Sequence, residues 1–320
     1  MTYPPEADGL ALLQTWLDPA IVLTTGTVGA SPVYHILVDG RPPRAHLTAS
    51  PNLHTLIIPW AGLPAATRAL LPDFPHLAVH NLHHNAAPVA ELALALLLAA
   101  ARAVIPFDRA LRQGDWRPRY NRPGPSLLLS GKTALILGYG AIGRRVAQLC
   151  QALGMQVLAT RRAIEEITQD GAATIYPAQH TRTLLPRAHA LIICLPLTPE
   201  TEGLLGAAEL ALLPQPAILV NIGRAAIVDE AALYTALCSG QLHAAGLDVW
   251  YNYPPDETAR SHTLPGNHPF HELDNVVLSP HRGGGVDTTA DLRMSHLADL
   301  LNTAVRGQPM PNRVDWQTGY

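Results

Sequence analysis

The stretch Thr133-Ala134-Leu135-Ile136-Leu137-Gly138-Tyr139-Gly140-Ala141-Ile142-Gly143 carries the reading of the fold. Its first five residues are an aliphatic run ending at a glycine, the pattern of a strand buried on both faces. Gly138, Gly140 and Gly143 then follow at G-x-G-x-x-G spacing, and Arg144 to Ala152 has helical composition. In that order the first glycine permits a tight turn, the second lets backbone approach a pyrophosphate, and the third lets helix pack on strand. The helix N-terminus turns its unsatisfied N–H groups toward the phosphates. A second aliphatic run, Gln156 to Thr160, completes a strand–turn–helix–strand unit, so Gly138, Tyr139, Gly140, Ala141, Ile142 and Gly143 are candidate dinucleotide contacts.

The end of that second strand selects the dinucleotide. An acidic side chain there bonds the 2′-hydroxyl of NAD and repels a 2′-phosphate. Here the residues are Thr160-Arg161-Arg162. Guanidinium groups pair well with phosphate, so NADP(H) is expected over NAD(H), with Arg161 and Arg162 as its contacts. The competing reading leaves the arginines solvated and lets Glu165 or Glu166 reach the ribose.

Outward from this unit, Ala190 to Leu195, Ala217 to Asn221, Ala244 to Val249 and Asn275 to Ser279 are further apolar strand candidates, making six with the first two. Helical or loop connections separate most of them, which predicts a doubly wound parallel (Rossmann) sheet. Toward the N-terminus, Ile21 to Thr25, Tyr34 to Val38 and Leu53 to Ile58 are short runs bounded by Gly, Pro and Asn, read as strands of a smaller α/β unit. Val89 to Val104 is an Ala/Leu-rich helix ending at Pro106, suited to crossing between domains. Residues 107 to 131 read as an irregular arm, and Thr288 to Val305 as a helix returning to the first unit. The expected organisation is a discontinuous substrate domain, 1–100 plus 288–320, flavodoxin-like, with the dinucleotide domain 101–287 inserted in it.

Composition narrows the class. The 320 residues are 48% hydrophobic and 15% charged, with a formal charge of -3 and no basic block beyond Arg161-Arg162, so nucleic acid is not expected as a partner. Cys150, Cys194 and Cys238 show no ligand spacing and sit in apolar stretches, which suits a reducing cytoplasm. The most apolar helix, Leu92 to Ala101, is too short to span a bilayer, which needs roughly 20 residues. No signal peptide is read at the N-terminus, where Asp18-Pro19 interrupts the apolar Leu10 to Leu17. His80, His83 and His84 cluster without a carboxylate-rich partner set, so no metal is expected.

Three further segments, Val220-Asn221-Ile222-Gly223-Arg224-Ala225-Ala226-Ile227-Val228-Asp229, Gly246-Leu247-Asp248-Val249-Trp250 and Ser279-Pro280-His281-Arg282-Gly283-Gly284, complete a series. With Gly138 to Gly143, Val89-Ala90-Glu91 and Leu195-Pro196-Leu197-Thr198-Pro199-Glu200-Thr201 they resemble, in order, the signatures of the D-isomer-specific 2-hydroxyacid dehydrogenases. The similarity extends over roughly residues 50 to 310. It implies hydride transfer between NAD(P)H and a small 2-oxo or D-2-hydroxy acid, glyoxylate or hydroxypyruvate being favoured. It assigns Arg224 to the substrate carboxylate, His281 to proton transfer, and Leu195, Pro196 and Asp248 to the cofactor. Pro59-Trp60-Ala61-Gly62 falls where relatives offer backbone N–H groups to substrate, with Ala61 and Gly62 as the candidate donors and Trp60 either walling the pocket or packing in the core, and Asn85 is either similar to a substrate contact in formate dehydrogenases of the superfamily or a loop cap. Relatives are usually homodimers joined through their nucleotide domains, and the arm Phe107 to Gly131 is expected to embrace a partner subunit.

One position departs from the pattern. The glutamate that usually stands five residues beyond the aspartate and bonds the histidine is replaced by Tyr253. A neutral phenol stabilises imidazolium less than a carboxylate does, so His281 is expected to titrate low. The missing glutamate keeps two other readings open: a formate dehydrogenase-like enzyme, and a non-catalytic NAD(P)-sensing binding protein.

Overall fold

The computed structural model describes residues 1–2, 5–26, 32–121 and 124–319. Two compact units divide the chain, one made of Met1–Asn85 with Gly285–Tyr320 and the other of Ala86–Gly284.

In the smaller unit three parallel strands, β1 (Ile36–Val38), β2 (Thr55–Ile58) and β3 (Ala78–Asn81), lie side by side in that order. Successive side chains of a strand point to opposite faces. Accordingly Leu56 and Ile58 enter one core with Leu37, Leu71 and Phe74, while Ile57 enters another with Val38, Leu13 and Leu297. Both faces are therefore covered, by α1 (Ala7–Trp16), α2 (Arg44–Thr48), α3 (Ala65–Leu70) and a long helix, α11 (Thr289–Val305). The expected strand at Ile21 to Thr25 does not form. Its apolar alternation is real, since Ile21 and Leu23 pack on the core while Val22 is 88% exposed, but among the described residues it joins no sheet ladder.

The larger unit holds α4 (Ala86–Ala101), α5 (Val104–Arg112), α6 (Arg117–Tyr120), α7 (Ala141–Ala152), α8 (Thr181–Leu184), α9 (Ala207–Leu210) and α10 (Glu230–Cys238). Its strands are β4 (Thr133–Leu137), β5 (Gln156–Arg161), β6 (Thr168–Asp170), β7 (Ala173–Pro177), β8 (Ala190–Ile193), β9 (Ile218–Asn221), β10 (Ala244–Leu247) and β11 (Val276–Leu278), in the order β11-β10-β9-β8-β4-β5-β7-β6. All pairings are parallel except β6 with β7. The chain runs outward from β4 through β5 and β7, then restarts beside β4 at β8, so the strand order reverses between β4 and β8. Along β4, Ala134 and Ile136 face a core containing α4 and α7, and Leu135 and Leu137 face one containing α10. This is the doubly wound fold expected.

Four features differ from the expectation. β6 and β7 extend the six anticipated strands to eight; β6 is three exposed polar residues at an edge, which carries no apolar signal. α4 packs wholly within the larger unit rather than ending the first domain at residue 100. Gly246 on β10 explains the close packing, since a Cβ there would stand 2.7 Å from the Leu96 Cβ. Pro106 does not end a helix. α4 stops before Ala103, which takes φ +50°, and Pro106 is the third residue of α5, where a missing N–H has no intrahelical partner to lose. The arm after residue 107 is accordingly part helical, through α5 and α6, rather than irregular; Arg122 and Pro123 within it lie outside the described residues. Among the described residues no single helix is long and apolar enough to cross a membrane.

Candidate active site

Ligands of an open α/β sheet bind outside the carboxyl ends of the strands where the order reverses. That place is the turn after β4, facing the loop after β8. Gly138 there has φ +97°, and a Cβ would stand 3.0 Å from the Cys194 carbonyl, so the two loops meet at van der Waals distance only because it is glycine. A Cβ at Gly143 would fall 2.1 Å from the Gly138 oxygen, which fixes the helix start against the turn. Gly140, in contrast, has open space where its Cβ would be, and no side chain caps the N-terminus of α7. Two glycines are thus needed for packing and the middle one for an outside group. These residues fit a dinucleotide pyrophosphate, held by the N–H groups of the first turn of α7.

The adenosine end is framed by the neighbouring strand. The Thr160 carbonyl accepts from both the Gly138 and Tyr139 N–H groups, locking the glycine turn to the tip of β5. Tyr139 is buried, its ring 5.5 Å from the Arg144 guanidinium carbon, and burial together with Asp170 pushes its phenol up. Arg161 and Arg162 follow at the end of β5, with no Asp or Glu in the two residues after them. Arg144 and Asp170 went unassigned in the sequence, because Asp170 reaches this corner only through the edge strand β6.

Arg224, Asp248 and His281 follow the carboxyl ends of β9, β10 and β11. The buried Asn221 side chain holds the first of these loops, accepting from the Gly223 N–H at 3.0 Å and donating to the Arg224 carbonyl at 3.0 Å. Gly223 lies so close to the loop after β8, where Leu195 and Pro196 stand, that a Cβ would meet the Leu195 oxygen at 2.6 Å. Arg224 itself is exposed, and its guanidinium spends one N–H on the Gly223 carbonyl, 2.7 Å away.

Asp248 is 2% exposed and organises the turn that displays His281. One carboxylate oxygen accepts from the Ser279 hydroxyl at 2.5 Å and the Arg282 N–H at 2.8 Å, and the other from the Gly283 N–H at 3.0 Å. The Trp250 indole N–H donates to the Ser279 carbonyl at 2.7 Å. So clamped on both sides, His281 takes φ +57°, a left-handed conformation uncommon for a residue with a Cβ. The cofactor role implied for Asp248 by resemblance is thus joined by a structural one.

Tyr253 stands where the sequence departs from the family. Its Oη lies 2.8 Å from His281 Nδ1 and 3.3 Å from the Trp250 amide nitrogen. Because that N–H donates to Oη, the phenol proton is best placed on the line to Nδ1 of a neutral ring, and Nε2 then carries the ring proton. When the ring is protonated, Nδ1–H donates to Oη instead. The phenol can thus donate to the neutral ring or accept from the cation, where an ionised carboxylate can only accept. Burial lowers His281 below the usual imidazole range, and Arg224 lowers it further, partly offset by Asp248. Burial raises Tyr253.

In the smaller unit, Asn81 at the end of β3 is buried and donates to the Ala61 carbonyl at 2.6 Å, holding the loop after β2. The N–H groups of Ala61 and Gly62 have no partner among the described residues. The Trp60 indole lies flat over Gly40, where a Cβ would sit 2.0 Å from the ring, with Arg41 against it. At 36% exposed, Trp60 is not a core residue. Asn85 is half-buried, and its Oδ1 has no partner among the described residues. His80 is a structural histidine, its Nδ1 2.7 Å from the Pro311 carbonyl. Among the described residues no three His, Cys, Asp or Glu side chains are placed to hold a metal. Burial pushes the Cys150 thiol up to about 12 and raises Cys194 as well, which leaves neither a thiolate nucleophile.

Residues 94–283 match the family described as D-isomer specific 2-hydroxyacid dehydrogenase, NAD binding domain. This chain belongs to that family. The glyoxylate reductase of Aeropyrum pernix is 39% identical over 231 residues, covering 71% of this chain and 65% of its own length. Glyoxylate/hydroxypyruvate reductase B of Pectobacterium atrosepticum is 32% identical over 302 residues, covering 93% of this chain and 88% of its own. Among solved structures, the D-isomer specific 2-hydroxyacid dehydrogenase of Xanthobacter autotrophicus Py2, in complex with NADPH and MES, superposes with a TM-score of 0.78 at 26% identity over 100% of this chain and 98% of that one. As a member of that family, the chain has an NAD(P)-binding domain in the unit where the glycine turn lies.

Proposed function

We propose that this dehydrogenase reduces a small 2-oxo acid, glyoxylate or hydroxypyruvate first among them, with NADPH. The observation that carries the reading is the hydrogen bond of Tyr253 to His281, 2.8 Å long, on a turn built to display that imidazole, with Arg224 close enough to act on its charge. A sensor that never turned over would have no use for a proton donor held this way. Names of the similar enzymes from Aeropyrum and Pectobacterium support the substrate class.

The Arg224 fork takes the substrate carboxylate. The resemblance offers Ala61, Gly62, Trp60 and Asn85 of the smaller unit as further substrate contacts, and imidazolium at His281 gives its Nε2 proton to the alkoxide as it develops. Gly138–Gly143, Leu195, Pro196 and Asp248 would hold the dinucleotide, whose reduced nicotinamide would supply the hydride. Once Nε2 has given up its proton the ring keeps Nδ1–H, which donates to Tyr253 Oη, and that same species is the base when the reaction runs toward oxidation. A spectrophotometric panel of glyoxylate, hydroxypyruvate, pyruvate and longer 2-oxo acids with each nucleotide tests the proposal. Silence across it would move the function to formate oxidation or to sensing.

Two predictions arise here. Nucleotide titration is expected to show NADPH bound at least tenfold more tightly than NADH, and the double variant Arg161→Ala, Arg162→Ala is expected to reverse or erase the difference, on the order of 10–100-fold for loss of charge-assisted bonds. Equal affinities in the parent protein would refute the preference. Second, Tyr253→Glu places a carboxylate at Nδ1 and is expected to raise the His281 pKa. Reduction needs the protonated ring and is lost as pH rises through that pKa, which burial and Arg224 hold below the usual imidazole range in the parent. The alkaline limb of the pH–rate profile for reduction is therefore expected to move upward in the variant; an unmoved limb would uncouple Tyr253 from the reaction.

The protein is further proposed to act as a cytoplasmic homodimer. α5 buries none of its own residues and exposes Val104, Ile105 and Leu111, and Trp116, Tyr120 and Leu128 of the arm are exposed after it. An apolar surface of this kind fits a second copy of the chain.

A further inference from the structure

The smaller unit concentrates basic groups that the proposed reaction does not use. His83 and His84 follow the carboxyl end of β3, the side of an open parallel sheet at which ligands bind. Arg293 and His296 stand three residues apart on α11, hence on one face of that helix. The two pairs are close in space: the groups acting on the charge of His84 are Arg293, His296 and His83, all basic, and with burial they bring it down to about 4. His83 is lowered as well, by burial and by His296.

Hydrogen bonding leaves this cluster open. His84 is only 8% exposed, yet its Nδ1 has no partner among the described residues, and neither has the buried Nε of Arg293. The next residue in the chain, Asn85, has a buried Oδ1 that also lacks a partner among the described residues. Buried polar groups are nearly always paired, and a guanidinium edge left without an acceptor costs the more for being charged. A cation would not relieve this, because Arg293 repels it and no metal-ligand set is present among the described residues. An oxyanion would, accepting from Arg293 and from the imidazoles while cancelling their mutual repulsion.

We propose that His83, His84, Arg293 and His296 form an oxyanion-binding site in the smaller unit that takes a carboxylate or phosphate group. The group belongs either to the far end of an extended 2-oxo acid or to free inorganic phosphate. Only the first source rests on the reductase reading. It is the source favoured by the chain position of Asn85, one residue beyond His84 and itself a proposed substrate contact.

The test has two arms, both on the full chain. In the first, inorganic phosphate and then oxaloacetate are titrated while the histidine ring resonances are followed by NMR. Saturable shifts at His83, His84 and His296, absent at His35 and His54 and lost in Arg293→Gln, are expected. No such shifts with either anion, or shifts that persist in Arg293→Gln, would overturn the site. This arm needs no turnover, so it stands if the reductase proposal fails, and the parent protein alone decides it if the variant does not fold. In the second arm, kcat/KM is compared for oxaloacetate and glyoxylate. If the substrate supplies the anion, Arg293→Gln lowers the value for oxaloacetate by about 10–100-fold and leaves glyoxylate within about twofold. If both substrates keep their values while phosphate still shifts the histidines, the site stands and its ligand is the free anion.

Discussion

His281→Asn is expected to lower kcat for reduction by about 10²–10⁴-fold, the usual worth of a positioned general acid, while leaving the NADPH dissociation constant within a factor of about two. The reasoning starts from the turn. Asp248 accepts from residues on both sides of His281, and Trp250 fixes the Ser279 carbonyl, so the backbone at φ +57° is held by groups other than the imidazole. Asparagine is among the residues that best tolerate that conformation, so the variant should fold with the turn intact and lose only the proton donor. Tyr253→Phe, which removes the hydroxyl at Nδ1 and keeps the ring, is expected to cost far less, about tenfold or below, because it misplaces the donor without removing it. Single-turnover kinetics separate the chemical step from product release. A His281→Asn enzyme with undiminished kcat would remove the imidazole from the reaction and return the protein to the class of nucleotide-binding proteins with another chemistry.

Much of the larger unit was legible in the sequence because its signals are short-range. A βαβ unit has its strand, glycine turn and helix contiguous, and each glycine has a steric reason visible in its spacing; the structure puts Gly138 and Gly143 into contacts that admit no Cβ and leaves Gly140 open. Arg224, Asp248 and His281 were legible as members of motifs. Their supports were not. Asn221 and Ser279 look like ordinary strand-end polar residues: that Asn221 clasps the Arg224 loop needs the geometry of a turn three residues long, and that Ser279 bonds Asp248, 31 residues away in the chain, depends on β10 and β11 meeting in one sheet. The Tyr253 substitution was visible as a loss, yet its gain, a hydroxyl at 2.8 Å from Nδ1, needed the return of the loop after β10 to be seen. β6 was missed because an exposed edge strand has no apolar period to detect, and the α4 boundary because helix composition says nothing about which neighbour a helix packs on. Ile21 to Thr25 shows the converse: apolar alternation promises a half-buried extended chain, which forms, but not a ladder partner, which is supplied by the rest of the fold.

Arg224→Leu should show the other large effect, with two separable signatures. The guanidinium commits one N–H to the Gly223 carbonyl and is otherwise exposed, so its fork is available to a carboxylate without breaking a structural ion pair. Its removal is expected to lower kcat/KM for glyoxylate by about 10²–10³-fold, in line with loss of a charged donor that also stabilises developing negative charge. Arg224→Lys should recover only a small part of this, since an ammonium keeps the charge but not the planar pair of donors. The second signature comes from electrostatics rather than contact. Arg224 lowers the pKa of His281, so deleting its charge is expected to let that pKa rise and to carry the alkaline limb of the residual reduction upward, while Arg224→Lys leaves the limb nearly in place. Measuring kcat/KM against pH for both variants therefore distinguishes two roles of one side chain: the loss of rate reports what Arg224 does for substrate, and the displacement of the limb reports what its charge does to the proton donor. A fall in rate with no displacement would leave Arg224 as a carboxylate clamp alone, and the low titration of His281 would then be a consequence of burial.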